Sequence, residues 1–310
     1  MSGMKKKLRR YRKLIAVVGS SNADIVLKVD HFTKPGETQK AFDLSFFPGG
    51  KGANQAVTVA RVGGEGCYFV TCLGNDEYGR VLSQNFLKNK IEGFLFVDEP
   101  TGRAFIEVTK NGDNRIIIFQ GANASLTKDK INWKELLKGH ILLLQNEIPF
   151  ETTLECARKF RGLVIFDPAP VEGITEEIFS YVDFLTPNEE ELKALAISTF
   201  GEFVSIEDSA KKFLKKGVGS VLVKLGRKGV VLFSDKDTFH VPGFEVKTID
   251  TTAAGDVFNG AFAVALEEGK TPKEAMVFAN AAAAISVTRA GAQSSIPDRK
   301  EIEEFLKVRL

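Results

Sequence analysis

Ile141-Leu142-Leu143-Leu144-Gln145 sets four aliphatic side chains in a row with nothing polar between them. Successive residues of a strand face opposite sides, so such a run is covered only where both faces of its sheet are buried. That condition is met in a parallel sheet between two layers of helices. Short apolar runs of the same kind recur at 14–19, 68–73, 163–166, 184–186, 220–225 and 229–233. Helical periodicity fills the intervals at 52–62, 77–89, 150–160, 188–196, 206–216, 254–268, 272–288 and 298–308. Thr271-Pro272-Lys273-Glu274 is a capping box with proline at the first helical position, which fixes that boundary. The alternation predicts an α/β fold, three layers α/β/α around a mainly parallel central sheet.

Other strand candidates read differently. Those at 24–29, 38–45, 94–97, 103–109 and 115–119 alternate or are half polar, and Asn111-Gly112 supplies a hairpin turn. They predict a small antiparallel β lid, formed by about 24–47 and 94–120 and seated over the C-terminal edge of the main sheet, where open α/β sheets bind ligands. With 44% hydrophobic and 26% charged residues, a chain of 310 residues can bury one large core. The expected organisation is a single α/β domain over 14–310 carrying this lid.

The net charge of +2 is uneven. Residues 5–13 hold seven basic groups, Lys5, Lys6, Lys7, Arg9, Arg10, Arg12 and Lys13; without them 35 of the 42 basic groups face 40 acidic ones, a balance of −5. A body of that sign gives no support to nucleic-acid binding, and 1–13 is expected to be a disordered, solvated tail. No apolar stretch reaches the length of a membrane span and no signal-peptide core is present, so a cytoplasmic protein is expected. Cys67 and Cys72, placed on one apparent strand, would point to opposite faces, and Cys156 is distant; His31, His140 and His240 are scattered singly. Neither a disulfide framework nor a metal site follows from them.

Two glycine-containing turns carry chemistry. Asp250-Thr-Thr-Ala-Ala-Gly-Asp256-Val-Phe-Asn-Gly260 opens a helix whose first amides, on Ala253, Ala254 and Gly255, have no partner four residues back and suit an anion such as phosphate. Asp256 in that position cannot attract the anion, so its useful reading is a base acting on the group that attacks phosphorus; taken alone, an acid there serves the helix dipole just as well. Pro48-Gly-Gly-Lys-Gly-Ala-Asn-Gln55 joins a strand to a helix, and its three glycines allow close approach of a ligand while Lys51 and Asn54 offer donors to hydroxyls. Without partners such a turn is more often a plain connection. Neither the P-loop nor the dinucleotide glycine signature occurs at a strand-to-helix turn.

Together with Gly19-Ser-Ser-Asn22-Ala-Asp24 after the first strand, these two segments resemble the ribokinase family of carbohydrate kinases (PfkB family), in the family's order and over nearly the whole chain from about residue 14. The resemblance implies ATP-dependent phosphorylation of the primary C5 hydroxyl of D-ribose, with Asp256 as general base and Ala253, Ala254 and Gly255 as anion hole. It places the sugar on Asn22, Asp24, Gly50, Lys51, Asn54 and Glu147. On residues alone, Glu147 reads slightly better as a surface cap past the strand at 141–145; only the resemblance makes it a contact. For the nucleotide the resemblance picks out Asn188, Lys224, Gly226, Gly229 and Asn280, and for magnesium, through its waters, Glu191. Asn188 and Glu191 are also spaced as an ordinary capping box. A monovalent cation, potassium, is implied at Asp250, Thr252, Ser286, Arg289, Gly291 and Ser295, mostly through backbone oxygens. The family's lid also forms a dimer contact, and a sheet so small needs cover, so a homodimer is expected. Two alternatives stay open: a kinase of another sugar or of a nucleoside in the same family, and a catalytically silent sugar-binding protein.

Overall fold

The computed structural model describes residues 14–309; the basic tail read at 1–13 lies outside the described residues. Among them, nine strands form the central sheet in the order Thr238–Val241, Val230–Ser234, Ser220–Lys224, Phe184–Leu185, Leu163–Phe166, Ile141–Leu144, Ile15–Val18, Cys67–Val70, Ile91–Glu92. Every pairing from Ser220–Lys224 to Ile91–Glu92 is parallel, and the two beyond it are antiparallel. The apolar run behaves as its composition demands. Ile141 and Leu143 enter one core, with the helices Lys51–Gly63, Ala254–Glu267 and Pro272–Ser286, while Leu142 and Leu144 enter the other, beneath Phe150–Lys159, Glu189–Phe200 and Ile206–Lys215. All four are wholly buried. Among the described residues no helix is long and apolar enough to cross a membrane.

The lid is a four-stranded sheet in the order Asp43–Gly49, Asn22–Val29, Gly102–Thr109, Asn114–Phe119. Its two outer pairings are antiparallel, but its central pairing is parallel, because Asn22–Val29 and Gly102–Thr109 are not hairpin neighbours and leave the body in the same direction. The strand read at 38–45 lies at Asp43–Gly49, in register from Asn22 opposite Gly49 to Lys28 opposite Asp43. Phe42, Leu44, Ile116, Ile117, Ile118 and Phe119 stand exposed on it.

Two readings are corrected. The run 68–73 is not one strand: the chain leaves the main sheet at Thr71, whose hydroxyl bonds the Ser21 hydroxyl at 3.0 Å and whose carbonyl accepts from the Leu95 amide at 2.9 Å. Cys72–Gly74 therefore pairs in parallel with Leu95–Val97 as a separate two-stranded sheet. Cys67 and Cys72 thus lie in different sheets, and the segment read at 94–97 as a lid strand lies outside the lid. All three thiols are buried; burial raises Cys72 to about 11 and Cys156 to about 12, so they are unreactive. The edge strands Ile91–Glu92 and Thr238–Val241 were not read, being too short or too polar to show an apolar run.

Candidate active site

Asp256 is a buried carboxylate in the first turn of Ala254–Glu267, and two amides from one other helix hold its two oxygens. Asn54 Nδ2 donates to Oδ2 at 3.0 Å and Gln55 Nε2 donates to Oδ1 at 3.1 Å. Burial dominates its titration and raises it to about 6, with Asp167 pushing the same way; Lys51 and the two amides resist. A base tuned toward neutrality suits proton removal from an alcohol.

The turn before this helix is shaped for an anion. Ala253, a non-glycine residue, adopts the left-handed conformation at φ 61°. It thereby rolls the chain so that successive amides face one side. The Ala254 amide is taken by the Thr251 carbonyl at 3.2 Å, so of the three donors read from sequence it is the one already engaged. Among the described residues the amides of Ala253 and Gly255 have no such partner.

A cavity of about 850 Å³ runs from this turn. Ala253, Ala254, Gly255, Asp256 and Lys51 line it together with Asn188, Glu191, Lys224, Gly226, Gly229 and Asn280, so every nucleotide position read from sequence opens into one space. Lys224 Nζ reaches Asp167 Oδ1 at 3.1 Å, and a methyl on Gly255 would stand 3.3 Å from that nitrogen. The left-handed Gly226 and Gly229 form the turn after Ser220–Lys224. Asn280 donates its amide to the carbonyls of Val241 and Pro242 at 3.3 and 3.2 Å, which leaves its oxygen as the group it can offer a ligand.

Glu191 does make the capping box: it accepts from the Asn188 amide at 2.8 Å, and Asn188 Oδ1 accepts from the Glu191 amide at 2.8 Å. Burial and then Asp167 hold its carboxyl above the ordinary range, against the pull of Lys224. Two hard carboxylates at one wall, part-neutralised by lysines, fit a hydrated magnesium ion better than a closed cage does. Among the described residues no group of three or more His, Cys, Asp or Glu side chains forms such a cage.

The positions read for the sugar gather near Asp256, with Asn22 and Asp24 at the start of the lid strand Asn22–Val29. Glu147 Oε2 accepts from Ser20 Oγ at 2.5 Å and from the Lys51 amide at 3.1 Å. Asp24 is raised to about 7, first by desolvation and then by the charges of Glu147 and Asp256, which sets the three carboxylates in one neighbourhood. Lys51 loses some proton affinity to burial but gains more from Asp256, Glu147, Asp167 and Glu191, so it stays cationic. Gly50, at φ 90°, lets the turn pass Asn22, whose amide nitrogen would lie 2.8 Å from any Cβ there. Lys51 and Asp256 belong both to this group and to the cavity, and so mark where the two meet.

The segments read as a cation site are also brought together. Asp250 Oδ2 accepts from the Gly291 amide at 2.8 Å, Asp250 Oδ1 from the Thr252 amide at 2.9 Å, and the Val287 carbonyl from the amides of Ile249 and Asp250. Ser286 and Ser295 donate their hydroxyls to the carbonyls of Ala283 and Ala292, and the Arg289 guanidinium is paired with Glu301. Arg289 therefore has only its carbonyl to give a cation.

Sequence reasoning passed over Asp167, Gln55 and Asn123. Asp167 directly follows the apolar strand Leu163–Phe166, at the end of the sheet where open α/β sheets bind ligands, and that position was the signal that could have found it. Asn123 donates to Asn22 Oδ1 at 2.7 Å and accepts from the Ser21 amide at 2.8 Å, fixing the sugar-side loop from a distant turn that carries no local signature.

A buried carboxylate at a helix N-terminus with free amides, beside a cavity of about 850 Å³ and a cluster of carboxylates, amides and a lysine, is an arrangement suited to a kinase acting on a small hydroxylated molecule. Residues 12–299 match the family described as pfkB family carbohydrate kinase. The chain is 41% identical over 304 residues to a ribokinase of Haemophilus influenzae, covering 96% of this chain and 99% of that protein. A crystal structure of ribokinase from Thermotoga maritima superposes with a TM-score of 0.94 at 66% identity, covering 96% of this chain and 100% of the other. The structure of Arabidopsis thaliana ribokinase complexed with ribose and ATP gives 0.84 at 36% identity, with 95% and 99% coverage. The chain belongs to the pfkB family of carbohydrate kinases.

Proposed function

We propose that the protein transfers the γ-phosphoryl group of ATP to the primary C5 hydroxyl of D-ribose, giving ribose 5-phosphate. The observation that carries this reading is the junction at Asp256 and Lys51, where the polyol site meets the cavity that begins at the anion turn. Asn22, Asp24, Gly50, Lys51, Asn54 and Glu147 hold the sugar with its primary hydroxyl toward Asp256. The γ-phosphate rests on the amides before the helix Ala254–Glu267, chiefly those of Ala253 and Gly255. Asp256 takes the hydroxyl proton as the oxygen attacks phosphorus in line and ADP leaves. Positioning and charge stabilisation supply most of the rate, as in phosphoryl transfer generally.

Magnesium fits beside Glu191, through its waters, where it would neutralise phosphate charge near the acidic wall. Potassium fits the backbone oxygens of Asp250, Thr252, Ser286, Arg289, Gly291 and Ser295, where it would keep the anion turn ordered without touching substrate. The exposed apolar side chains of the lid make a second copy of this chain the natural cover, so a homodimer is proposed; a single monomeric species in sedimentation at micromolar concentration would remove it. The function is tested by an ADP-release assay with ribose, deoxyribose, fructose and adenosine. Ribose is expected to give the highest kcat/KM; a preference for any of the other three, or turnover of none, overturns the reading.

A further inference from the structure

We propose that Gln55 is a positioning residue for phosphoryl transfer, the single amide that sets the base Asp256 and the wall carboxylate Asp167 in fixed relation, and that Gln145 in turn fixes Gln55. This rests on the reading of Asp256 as the base. Gln55 is wholly buried, one residue after Asn54 on the helix Lys51–Gly63. Its Nε2 donates to Asp256 Oδ1 at 3.1 Å and to Asp167 Oδ2 at 3.3 Å, which uses both of its protons. Its Oε1 accepts from Gln145 Nε2 at 2.7 Å, at the end of the strand Ile141–Leu144. Turning the Gln55 amide over would aim its oxygen at two carboxylates. Turning Gln145 over would set two amide oxygens against each other. Only one arrangement of the chain of amides is therefore tolerable, and it starts from Gln145, itself wholly buried.

Gln145 keeps this orientation although its Oε1 is buried without a hydrogen bond, an uncommon state. Gly19 makes the room: a methyl there would stand 2.0 Å from that oxygen. Asn259 Nδ2 gives Asp167 Oδ2 a further hydrogen bond at 2.9 Å, and Lys224 takes Oδ1, so Asp167 is held from every side. Asp256 has fewer supports. Besides Gln55 it has Asn54, which also faces the sugar, and the charged groups around it are Lys51, Asp167 and Asp24. Among the described residues Gln55 is thus the one neutral side chain that bonds both Asp256 and Asp167, while Oδ2 of Asp256 is held on the Asn54 side. Without it the two carboxylates face each other through an apolar gap, the base gains proton affinity, and its carboxylate is free to turn.

The test compares Gln55→Met, Gln145→Met and the double variant in ribose phosphorylation, measuring kcat, both KM values and the kcat profile from pH 5 to 9. Gln55→Met is expected to lower kcat by about 10²-fold with KM for ribose and ATP within about threefold, and to move the acid limb of kcat to higher pH. Gln145→Met is expected to give the same changes in weaker form, roughly three- to tenfold in kcat, and the double variant to be no slower than Gln55→Met alone, since Gln145 acts only through Gln55. If Gln55→Met does not fold, Gln145→Met carries the test by its own acid-limb shift. The proposal is overturned by near-normal kcat in Gln55→Met, by lost kcat with an unmoved acid limb, or by losses that multiply in the double variant. These failures leave wild-type turnover as it is, whereas a failure of the Asp256 reading shows itself separately as normal turnover in Asp256→Asn.

Discussion

A methyl group on Gly49 would stand 2.0 Å from Oδ2 of Asp24, closer than any real contact. The backbone of one lid strand is laid flat against the carboxylate of its neighbour, and Gly49 is glycine for that reason rather than for its own torsion, which is ordinary. Gly49→Ala must push Asp24 out of the sugar site. We expect KM for ribose to rise roughly tenfold or more while KM for ATP holds within about twofold; steady-state kinetics with each substrate varied in turn checks it, and an unchanged ribose KM would mean Asp24 does not bind sugar.

Asp256→Asn keeps the size of the side chain and loses the proton acceptor. It is expected to reduce kcat by roughly 10²- to 10⁴-fold with ribose affinity within a few-fold. In the wild type, burial raises this acid to about 6, so kcat should decline as the pH falls through 6 and the base becomes protonated. The residual rate of the variant should lack that limb. A full pH profile of both proteins decides the matter.

The layers and the two signature turns were legible because their causes are local. Four unbroken aliphatic residues at 141–144 require burial on both faces, and a turn of small residues that opens a helix leaves its first amides without partners four residues back. What escaped depends on contacts across the chain. The break at Thr71 follows from Leu95 and Ser21 claiming its polar groups. The parallel pairing inside the lid follows from where two separate segments leave the body. Gln55 looks like an ordinary helix residue until Asp167 and Asp256 arrive from elsewhere in the sequence. The Ala254 amide is a local exception, taken by the Thr251 carbonyl three residues back.

Asp24 costs the fold stability at neutral pH. Its folded value near 7 lies above the usual carboxylate range, through desolvation first and then Glu147 and Asp256. The folded state therefore binds a proton that the unfolded state releases near pH ~4, and stability falls as pH rises from about 4 to 7, with the full penalty above 7. Asp24→Asn should raise Tm by roughly 3–8 °C at pH 8, with the gain shrinking steadily between pH 7 and 4, while sugar phosphorylation is lost. Calorimetry across that range checks the sign; a gain that grows toward low pH would contradict it.

Lys224 and Asp167 form an ion pair at 3.1 Å with both side chains largely buried. Removing one partner strands the other charge, so Lys224→Met should lower stability by about 3 kcal/mol. Removing both charges, in Lys224→Met with Asp167→Asn, should recover most of that loss in urea unfolding. Activity should not follow: the double variant should keep a KM for ATP raised roughly tenfold or more, because Lys224, beside Gly255, also lines the cavity proposed for the nucleotide. Recovery of both together would make the pair purely structural.

The anion turn depends on its neighbours for order. Asp250 ties Thr252 and Gly291 together; desolvation raises its carboxyl, but the hydrogen bonds outweigh it and hold the group below the ordinary range, so the loop carrying Gly291 and the turn before Ala253 are joined. A potassium ion on their backbone oxygens would stiffen that link, and its effect should appear in kcat rather than in ribose affinity. Replacing potassium with tetramethylammonium, too large for carbonyl coordination at such a loop, should lower kcat several-fold at unchanged ionic strength. Equal rates in the two salts would show that the turn is held by Asp250 alone.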